Sequence, residues 1–222
     1  MTKRLGVMGG MFDPVHLGHL QAAVTAMQSL HLESIRLIPC YQPNHRDPAI
    51  CSPSQRLEML HLATAGMSGI IIDDREIRRG GVSYTVDTLT ALHEEFANAV
   101  FVFVLGIDSF LSITDWYRWE RLFELCHFLV LGRPGYQVNP ETEIGRQFRD
   151  RRVNNPQDLF KNISGGVLLV SDMNVGLSSS AVREKIRIGE SIRGMVPQVI
   201  ESYLVEHNLY RIMHSTNSST GN

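Results

Sequence analysis

Residues 9–19 read Gly-Gly-Met-Phe-Asp-Pro-Val-His-Leu-Gly-His. A short apolar run at residues 5–8 comes directly before this stretch and predicts a buried strand that ends in a tight glycine turn. Apolar side chains then recur at spacings of three and four across residues 17–27, which predicts a helix from about residue 16 to residue 30. The stretch therefore lies where a strand passes into a helix, the basic step of an α/β fold.

The alternation of strand and helix continues along the chain. Further apolar runs predict strands at residues 34–39, 70–72, 100–105, 127–131 and 167–170. Helices are predicted at about residues 52–65 and 85–96; the first has an N-cap serine, a proline at its first position and a capping-box glutamine. The polar stretch at about residues 134–164 predicts a surface excursion with a short helix of its own.

The predicted fold is a doubly wound, mostly parallel sheet with helices on both faces, a Rossmann-like α/β architecture, because several strands are apolar on both sides. Ligands of such sheets bind beyond the carboxyl ends of the strands. We therefore expect the chemistry in the loops that open at Gly9, Pro39, Gly106 and Gly132.

The bulk properties limit the partners of the chain. Its 222 residues predict one domain over residues 1–210 and a flexible tail over residues 211–222. A net charge of −2 argues against nucleic acid, and no apolar run is long enough for a membrane span. Three widely spaced cysteines predict free thiols and a cytoplasmic protein. A homo-oligomer is compatible with the sequence.

The glycine turn and the helix behind it predict a phosphate site. Gly9 and Gly10 let main-chain N–H groups approach a phosphate that a Cβ would obstruct. The helix adds unpaired N–H groups and the positive end of its dipole. The turn matches neither the Walker A motif nor the dinucleotide fingerprint, so a kinase or an NAD-dependent oxidoreductase is disfavoured.

His16 and His19 lie three residues apart, which places their rings on one side of a helix start. As a pair they can donate hydrogen bonds to phosphate oxygens and, if charged, stabilise the negative charge that builds up during displacement at phosphorus. An isolated histidine is more often an ordinary structural residue, but here the glycine pair and the position in the fold favour function. A third interpretation makes Asp13, His16 and His19 metal ligands of a hydrolase.

Taken together, these residues resemble the G-G-[ST]-F-D-P-x-H-x-G-H segment of bacterial nicotinate-nucleotide adenylyltransferases. The H-x-G-H core alone is typical of the broader nucleotidyltransferase superfamily. The narrower resemblance rests on further segments in the expected order, residues 43–46, 83–85, 106–109, 116–117, 133–136 and 177–183, which together span nearly the whole chain.

The resemblance implies transfer of AMP from ATP to nicotinate mononucleotide, giving nicotinate adenine dinucleotide and pyrophosphate in NAD biosynthesis, with Mg²⁺ held mainly by the ATP phosphates. His16 and His19 would be catalytic. The implied ATP-binding residues are Gly9, Gly10, Met11, Phe12, His16, His19, Gly106, Asp108, Arg133, Ser178, Ser179, Ser180 and Arg183.

The resemblance also implies an acceptor site. The implied mononucleotide-binding residues are Asn44, His45, Arg46, Ser83, Tyr84, Thr85 and Trp116, with the indole stacking on the pyridine ring. Two positions depart from the family pattern, since Met11 stands where a hydroxyl residue is usual and Asn44 where a second proline is usual. Met11 keeps its main-chain N–H, so phosphate binding there would lose one hydrogen bond, about 0.5–1.5 kcal/mol.

The mechanism implied by these residues is direct in-line attack of the mononucleotide phosphate on the α-phosphorus of ATP, without a covalent intermediate. One rival is a related enzyme acting on pantetheine phosphate or a polyol phosphate, which would keep the histidines and lose Trp116. Another rival is a nucleotide-binding regulator without turnover.

Overall fold

A parallel sheet organises the computed structural model, which describes residues 2–44, 47–170 and 176–211. The strands are β1 Lys3–Gly10, β2 Ser34–Pro39, β3 Ile70–Ile72, β4 Ala99–Gly106, β5 His127–Leu131, β6 Arg152–Val153 and β7 Val167–Val170. The helices are α1 Leu17–Leu30, α2 Pro53–Thr64, α3 Arg75–Arg79, α4 Thr85–Glu95, α5 Ile107–Leu111, α6 Trp119–Leu125, α7 Glu143–Arg151, α8 Pro156–Leu159, α9 Ser179–Arg187 and α10 Gln198–Glu206, with a 3-10 turn at Ile113–Asp115. The predicted site residues His45 and Arg46, and positions 212–222 of the predicted tail, lie outside the described residues.

The strand order is β3-β2-β1-β4-β5-β7-β6, and every paired strand is parallel to its neighbour. This confirms the predicted doubly wound sheet. The chain leaves β1 in one direction for β2 and β3, and returns to place β4 on the other side of β1. Such a reversal opens a crevice between the two strands at their carboxyl ends, here between Gly10 and Gly106.

The core consists of two apolar layers, one on each face of the sheet. Six consecutive residues of β4 are buried, so both faces of this strand are covered. Val102 and Val104 pack with residues of α1 and α2, whereas Phe101 and Phe103 pack with residues of α4 and α6. The sheet is therefore a rigid platform for the loops at its carboxyl edge.

Helix α2 begins as its sequence predicts. The Ser52 hydroxyl accepts a hydrogen bond from the Gln55 N–H at 3.2 Å, and the Gln55 side chain accepts from the Ser52 N–H at 3.0 Å. Pro53 occupies the first helical position, where its missing N–H leaves no backbone bond unmade.

The excursion at residues 134–164 contains a helix of its own, as predicted, but the expectation that it lies on the surface was wrong. Helix α7 buries Ile144 and Phe148 in the core layer that contains Phe101. Strand β6 then pairs with β7 and extends the sheet at its edge. Among the described residues, no helix combines the length and apolar character needed to cross a membrane.

Candidate active site

A cleft of about 520 Å³ opens at the carboxyl edge of the sheet, over the crevice between β1 and β4. Its walls come from the loops that follow β1, β2, β4 and β5 and from the start of α9. These include the loops in which the sequence placed the chemistry.

The structure brings all the predicted ATP-binding residues to the wall of this cleft. They are Gly9, Gly10, Met11, Phe12, His16, His19, Gly106, Asp108, Arg133, Ser178, Ser179, Ser180 and Arg183. Residues far apart in sequence therefore share one cavity large enough for a nucleotide.

The two glycines of the turn at the end of β1 have different roles. A Cβ on Gly10 would lie 3.2 Å from the ring of Phe12, which is buried and has a positive φ of 50°. Gly10 is therefore needed for the packing of the turn itself. Gly9 is exposed on the cleft wall, and a Cβ there would meet nothing in the chain closer than Phe103 at 3.7 Å. Gly9 leaves open space for a ligand.

His16 and His19 form a stacked pair at the start of α1. Their ring centroids lie 3.7 Å apart with an interplanar angle of 19°. His16 is the N-cap: its Nδ1 accepts from the His19 N–H at 3.3 Å, and Nδ1 of His19 accepts from the His16 N–H at 3.2 Å. Because each Nδ1 is an acceptor, a neutral ring carries its proton on Nε2. The pair therefore presents two N–H donors from one rigid unit.

Burial lowers the pKa of both histidines. Loss of solvation, with a smaller contribution from the positive charge of Arg133, lowers the pKa of His16 to about 4. Loss of solvation also holds the pKa of His19 well below its usual range, aided by His16 and Arg133. In the ligand-free cleft at neutral pH, both rings are neutral donors, and negative charge from a bound phosphate would favour their protonation.

Acidification should destabilise the ligand-free protein partly through His16. In the unfolded chain this ring charges below its usual pKa of about 6.5, whereas in the folded protein it stays neutral down to about pH 4. The stability due to a neutral His16 is thus fully present above pH 6.5 and is lost as the pH falls. Between pH 7 and 5, the free energy of unfolding should drop by about 2 kcal/mol more for the wild type than for His16→Asn. Urea unfolding at both pH values measures this difference, and equal drops would contradict it.

A second helix start faces the same cleft. The Ser178 hydroxyl caps α9 by accepting from the Ala181 N–H at 3.1 Å. The Ser179 hydroxyl donates to the Pro14 carbonyl at 2.9 Å, and Nη1 of Arg183 donates to the Asp13 carbonyl at 2.7 Å. Ser179 and Arg183 therefore hold the turn between β1 and α1 in addition to lining the cleft.

Asp108 and Arg133 lie together on the cleft wall. Nη1 of Arg133 and Oδ2 of Asp108 are 3.5 Å apart, and both side chains are 34% exposed. Oδ1 of Asp108 is buried, and none of the described residues donates a hydrogen bond to it. A Cβ on Gly106 would collide with this oxygen. A buried acceptor at the cleft wall fits a ligand hydroxyl.

Four of the predicted acceptor residues also belong to the cleft wall. Asn44, Ser83, Thr85 and Trp116 line the cleft, and the indole of Trp116 meets the ring of Phe103 edge to face, with 6.1 Å between centroids. Helix α4 begins at Thr85 without a side-chain cap on its first N–H groups. These N–H groups fit a carboxylate or phosphate at the helix start.

Tyr84 differs from its predicted neighbours. It is the N-cap residue of α4, but it is not among the residues that line the cleft, and its ring packs on Tyr117 with 4.7 Å between centroids. If Tyr84 contributes to the acceptor site, the contributing group is therefore its backbone and not its ring.

The structure adds Glu76, which sequence patterns did not indicate, to the cleft wall. Glu76 as a residue is 7% exposed, and its carboxylate accepts from the Thr88 hydroxyl at 2.6 Å. Burial raises the pKa of this carboxyl. The Ser83 hydroxyl in turn accepts from the Tyr41 N–H at 3.0 Å, which joins the loop after β2 to the start of α4. Five-residue α3, which carries Glu76, is too short for a periodic signal.

The hydrolase interpretation fits the geometry poorly. Both Nδ1 atoms of the histidine pair accept backbone N–H groups, and the carboxylate of Asp13 accepts from the Ile50 and Cys51 N–H groups. Within the described parts of the chain, no three His, Cys, Asp or Glu side chains are grouped as metal ligands.

Comparison with protein families adds independent evidence. A family model described as cytidylyltransferase-like matches residues 7–185. A probable nicotinate-nucleotide adenylyltransferase of Methylococcus capsulatus is 36% identical over 207 residues, covering 93% of this chain and 99% of the relative. The protein of the same name from Pseudomonas fluorescens is 38% identical over 212 residues, covering 95% of this chain and 99% of the relative.

Solved structures share the fold. The Plasmodium falciparum nicotinic acid mononucleotide adenylyltransferase complexed with NaAD superposes with a TM-score of 0.74 at 20% identity, covering 94% of this chain and 97% of that chain. At this identity the likeness concerns the architecture, and it extends over nearly the whole sheet and its helices.

Proposed function

Since this chain belongs to the nicotinate-nucleotide adenylyltransferase family, within the cytidylyltransferase-like group, we propose that it transfers AMP from ATP to nicotinate mononucleotide. The products are nicotinate adenine dinucleotide and pyrophosphate, and the reaction belongs to NAD biosynthesis. The observation that carries the proposal is the stacked pair of His16 and His19, whose donors line a cleft at the switch point of the sheet.

In the proposed reaction, an oxygen of the mononucleotide phosphate attacks the α-phosphorus of ATP in line. A new P–O bond forms, the bond to the β-phosphate oxygen breaks, and the electron pair leaves with pyrophosphate. The nucleophile is already an anion, so no general base is needed. His16 and His19 donate from Nε2 to phosphate oxygens, and Arg133 adds a fixed positive charge.

Adenosine is proposed to bind on the Asp108 side and the mononucleotide on the Trp116 side. The buried Oδ1 of Asp108 would accept from a ribose hydroxyl, and the uncapped start of α4 would receive the nicotinate carboxylate. Asn44 would contribute to the mononucleotide site, and His45 and Arg46 stay a prediction for the same site.

Magnesium is proposed to enter with ATP. The ion would be held mainly by the phosphates. When bound, it would supply positive charge to the triphosphate. Among the described residues, the cleft wall carries the carboxylates of Asp47, Glu76 and Asp108 besides that of Asp13.

One assay tests the proposed function. Pyrophosphate release from ATP and Mg²⁺ is measured with nicotinate mononucleotide, nicotinamide mononucleotide, phosphopantetheine or no acceptor. We expect the fastest release with nicotinate mononucleotide. Release mainly with phosphopantetheine would identify the related enzyme, phosphate release without an acceptor would identify a hydrolase, and ATP binding without release would identify a regulator.

Trp116→Ala should raise the KM for the mononucleotide about 10- to 100-fold, because an aromatic stack is worth about 1–3 kcal/mol. The KM for ATP should change less than about threefold, since the adenosine side of the cleft keeps its contacts. Steady-state kinetics with each substrate varied in turn measures both values. Trp116→Phe keeps a ring and should recover most of the loss; an equal rise in both KM values would contradict the assignment.

A further inference from the structure

The turn between β1 and α1, residues 9–16, here called the phosphate turn, is held by side chains from other parts of the fold. Three of its carbonyl oxygens accept hydrogen bonds from side chains: Met11 from Nη1 of Arg56 at 2.8 Å, Asp13 from Arg183 at 2.7 Å and Pro14 from Ser179 at 2.9 Å. Arg56 is 1% exposed and comes from α2, whereas Arg183 and Ser179 come from α9. The backbone of the turn is thus oriented by long-range contacts.

The carboxylate of Asp13 is the other anchor of the phosphate turn. It is 3% exposed, and Oδ1 accepts from the Tyr210 hydroxyl at 2.6 Å and from the Cys51 N–H at 3.1 Å, while Oδ2 accepts from the Ile50 N–H at 2.8 Å. These bonds join the turn to the segment before α2 and to a residue 197 positions away in sequence. Tyr210 does not line the cleft, so it faces Asp13 from behind.

Both the backbone and the hydroxyl of Tyr210 are held in a defined position. Its backbone is in the left-handed region with φ of 63°, an unfavourable conformation for a tyrosine. Its hydroxyl donates to Asp13 and accepts from the Cys51 thiol at 2.9 Å. Burial, together with the bond to Asp13, raises the pKa of this hydroxyl, so it stays a donor at any physiological pH.

We propose that Tyr210 is a positioning residue for the ATP site, acting through its hydrogen bond to the carboxylate of Asp13 on the phosphate turn. The segment after α10 then contributes to binding of the triphosphate without touching it. The inference rests on the proposed function for the identity of the nucleotide. Removal of the hydroxyl leaves the turn with a smaller fraction of molecules in the binding-competent conformation, and apparent affinity falls by that fraction.

The structure offers a matched control for Tyr210→Phe. The Tyr203 hydroxyl, on α10, donates to Oε2 of Glu58 on α2 at 2.7 Å. Tyr203→Phe therefore removes a tyrosine–carboxylate bond of the same kind from the same C-terminal part of the chain, but one that ends on α2 and does not reach the phosphate turn. Both variants should lose similar stability, so a difference in ATP binding isolates the effect on the turn.

Calorimetric titration with a non-hydrolysable ATP analogue, well below the unfolding midpoint of each variant, tests the inference. Tyr210→Phe should weaken binding about fivefold and raise the KM for ATP equally, with the KM for the mononucleotide unchanged. Tyr203→Phe should match the wild type. In an Asp13→Asn background, Tyr210→Phe should add less than about twofold, because the shared bond is already altered.

If Tyr210→Phe binds the analogue as tightly as the wild type, this inference is overturned and the proposed function stands. The same holds if Tyr203→Phe loses as much affinity as Tyr210→Phe, because the two losses would then reflect general destabilisation. A full, additive fivefold loss in the Asp13→Asn background would show that Asp13 is not the route. A wild-type protein that binds no analogue would overturn the proposed function and this inference with it.

Discussion

Replacement of His16 by asparagine should lower kcat about 10²- to 10³-fold and change the affinity for ATP by less than about threefold. The asparagine side chain can still accept from the His19 N–H and keep the start of α1, as His16 does at 3.3 Å. What is lost is the Nε2–H donor, which is most valuable when charge builds on the transferred phosphate. Single-turnover rates at saturating ATP, together with equilibrium binding, measure the two effects separately.

His61 provides the control for this experiment. It is exposed on α2, so His61→Asn should leave both kcat and ATP affinity unchanged. If ATP affinity alone falls in His16→Asn while turnover at saturation holds, His16 binds the ground state and has no special part in the displacement.

Gly9→Ala should give a stable protein whose kcat/KM is lowered about 10²-fold. A Cβ at this position has only an ordinary contact of 3.7 Å with Phe103, so the fold accepts it. The methyl group instead occupies the cleft wall where a phosphate must approach the backbone, and a displacement of the ligand by about 1 Å is worth about 10²-fold in rate. Thermal unfolding and steady-state kinetics together measure the two outcomes.

A glycine-to-alanine substitution at Gly6, which is also on β1, should instead destabilise the fold. A Cβ on Gly6 would lie 2.8 Å from Ile35 and 2.9 Å from Leu32, so Gly6→Ala should lower the unfolding midpoint because the core must shift. Full activity in Gly9→Ala would show that the ligand does not approach this glycine closely.

The parts of the fold that the sequence predicts well are those with strong local signals. The start of α2 follows from Ser52, Pro53 and Gln55, whose capping bonds form within four residues. Strand β4 follows from an unbroken apolar run that is buried on both faces. Local hydrogen bonds and periodic burial are what a single sequence records directly.

The elements that the sequence did not predict are short or depend on distant partners. Helices α3 and α5 have five residues each and α6 has seven, too few to show an apolar period. Helix α7 was expected on the surface, yet Ile144 and Phe148 on this helix pack into the core layer that contains Phe101. Burial of this kind is decided by tertiary packing.

The same distinction applies to the site. The cleft residues that carry motif patterns were predicted, because the glycine turn and the histidine pair are contiguous in sequence. Arg56, Glu76 and Tyr210 were not, since each acquires its contact through the fold, in the case of Tyr210 across 197 positions. A supporting residue of this type has no local pattern of its own.

The two imidazoles are bonded reciprocally, each to the backbone N–H of the other residue. Each ring is fastened to the main chain of the other residue, so the loss of either side chain leaves the companion's hydrogen bond and tautomer in place and removes only the ring stacked on it. The two rings are still in stacked contact, so the penalties of the two single losses are not expected to sum. A protein that keeps either histidine therefore keeps one ring donor held by the main chain.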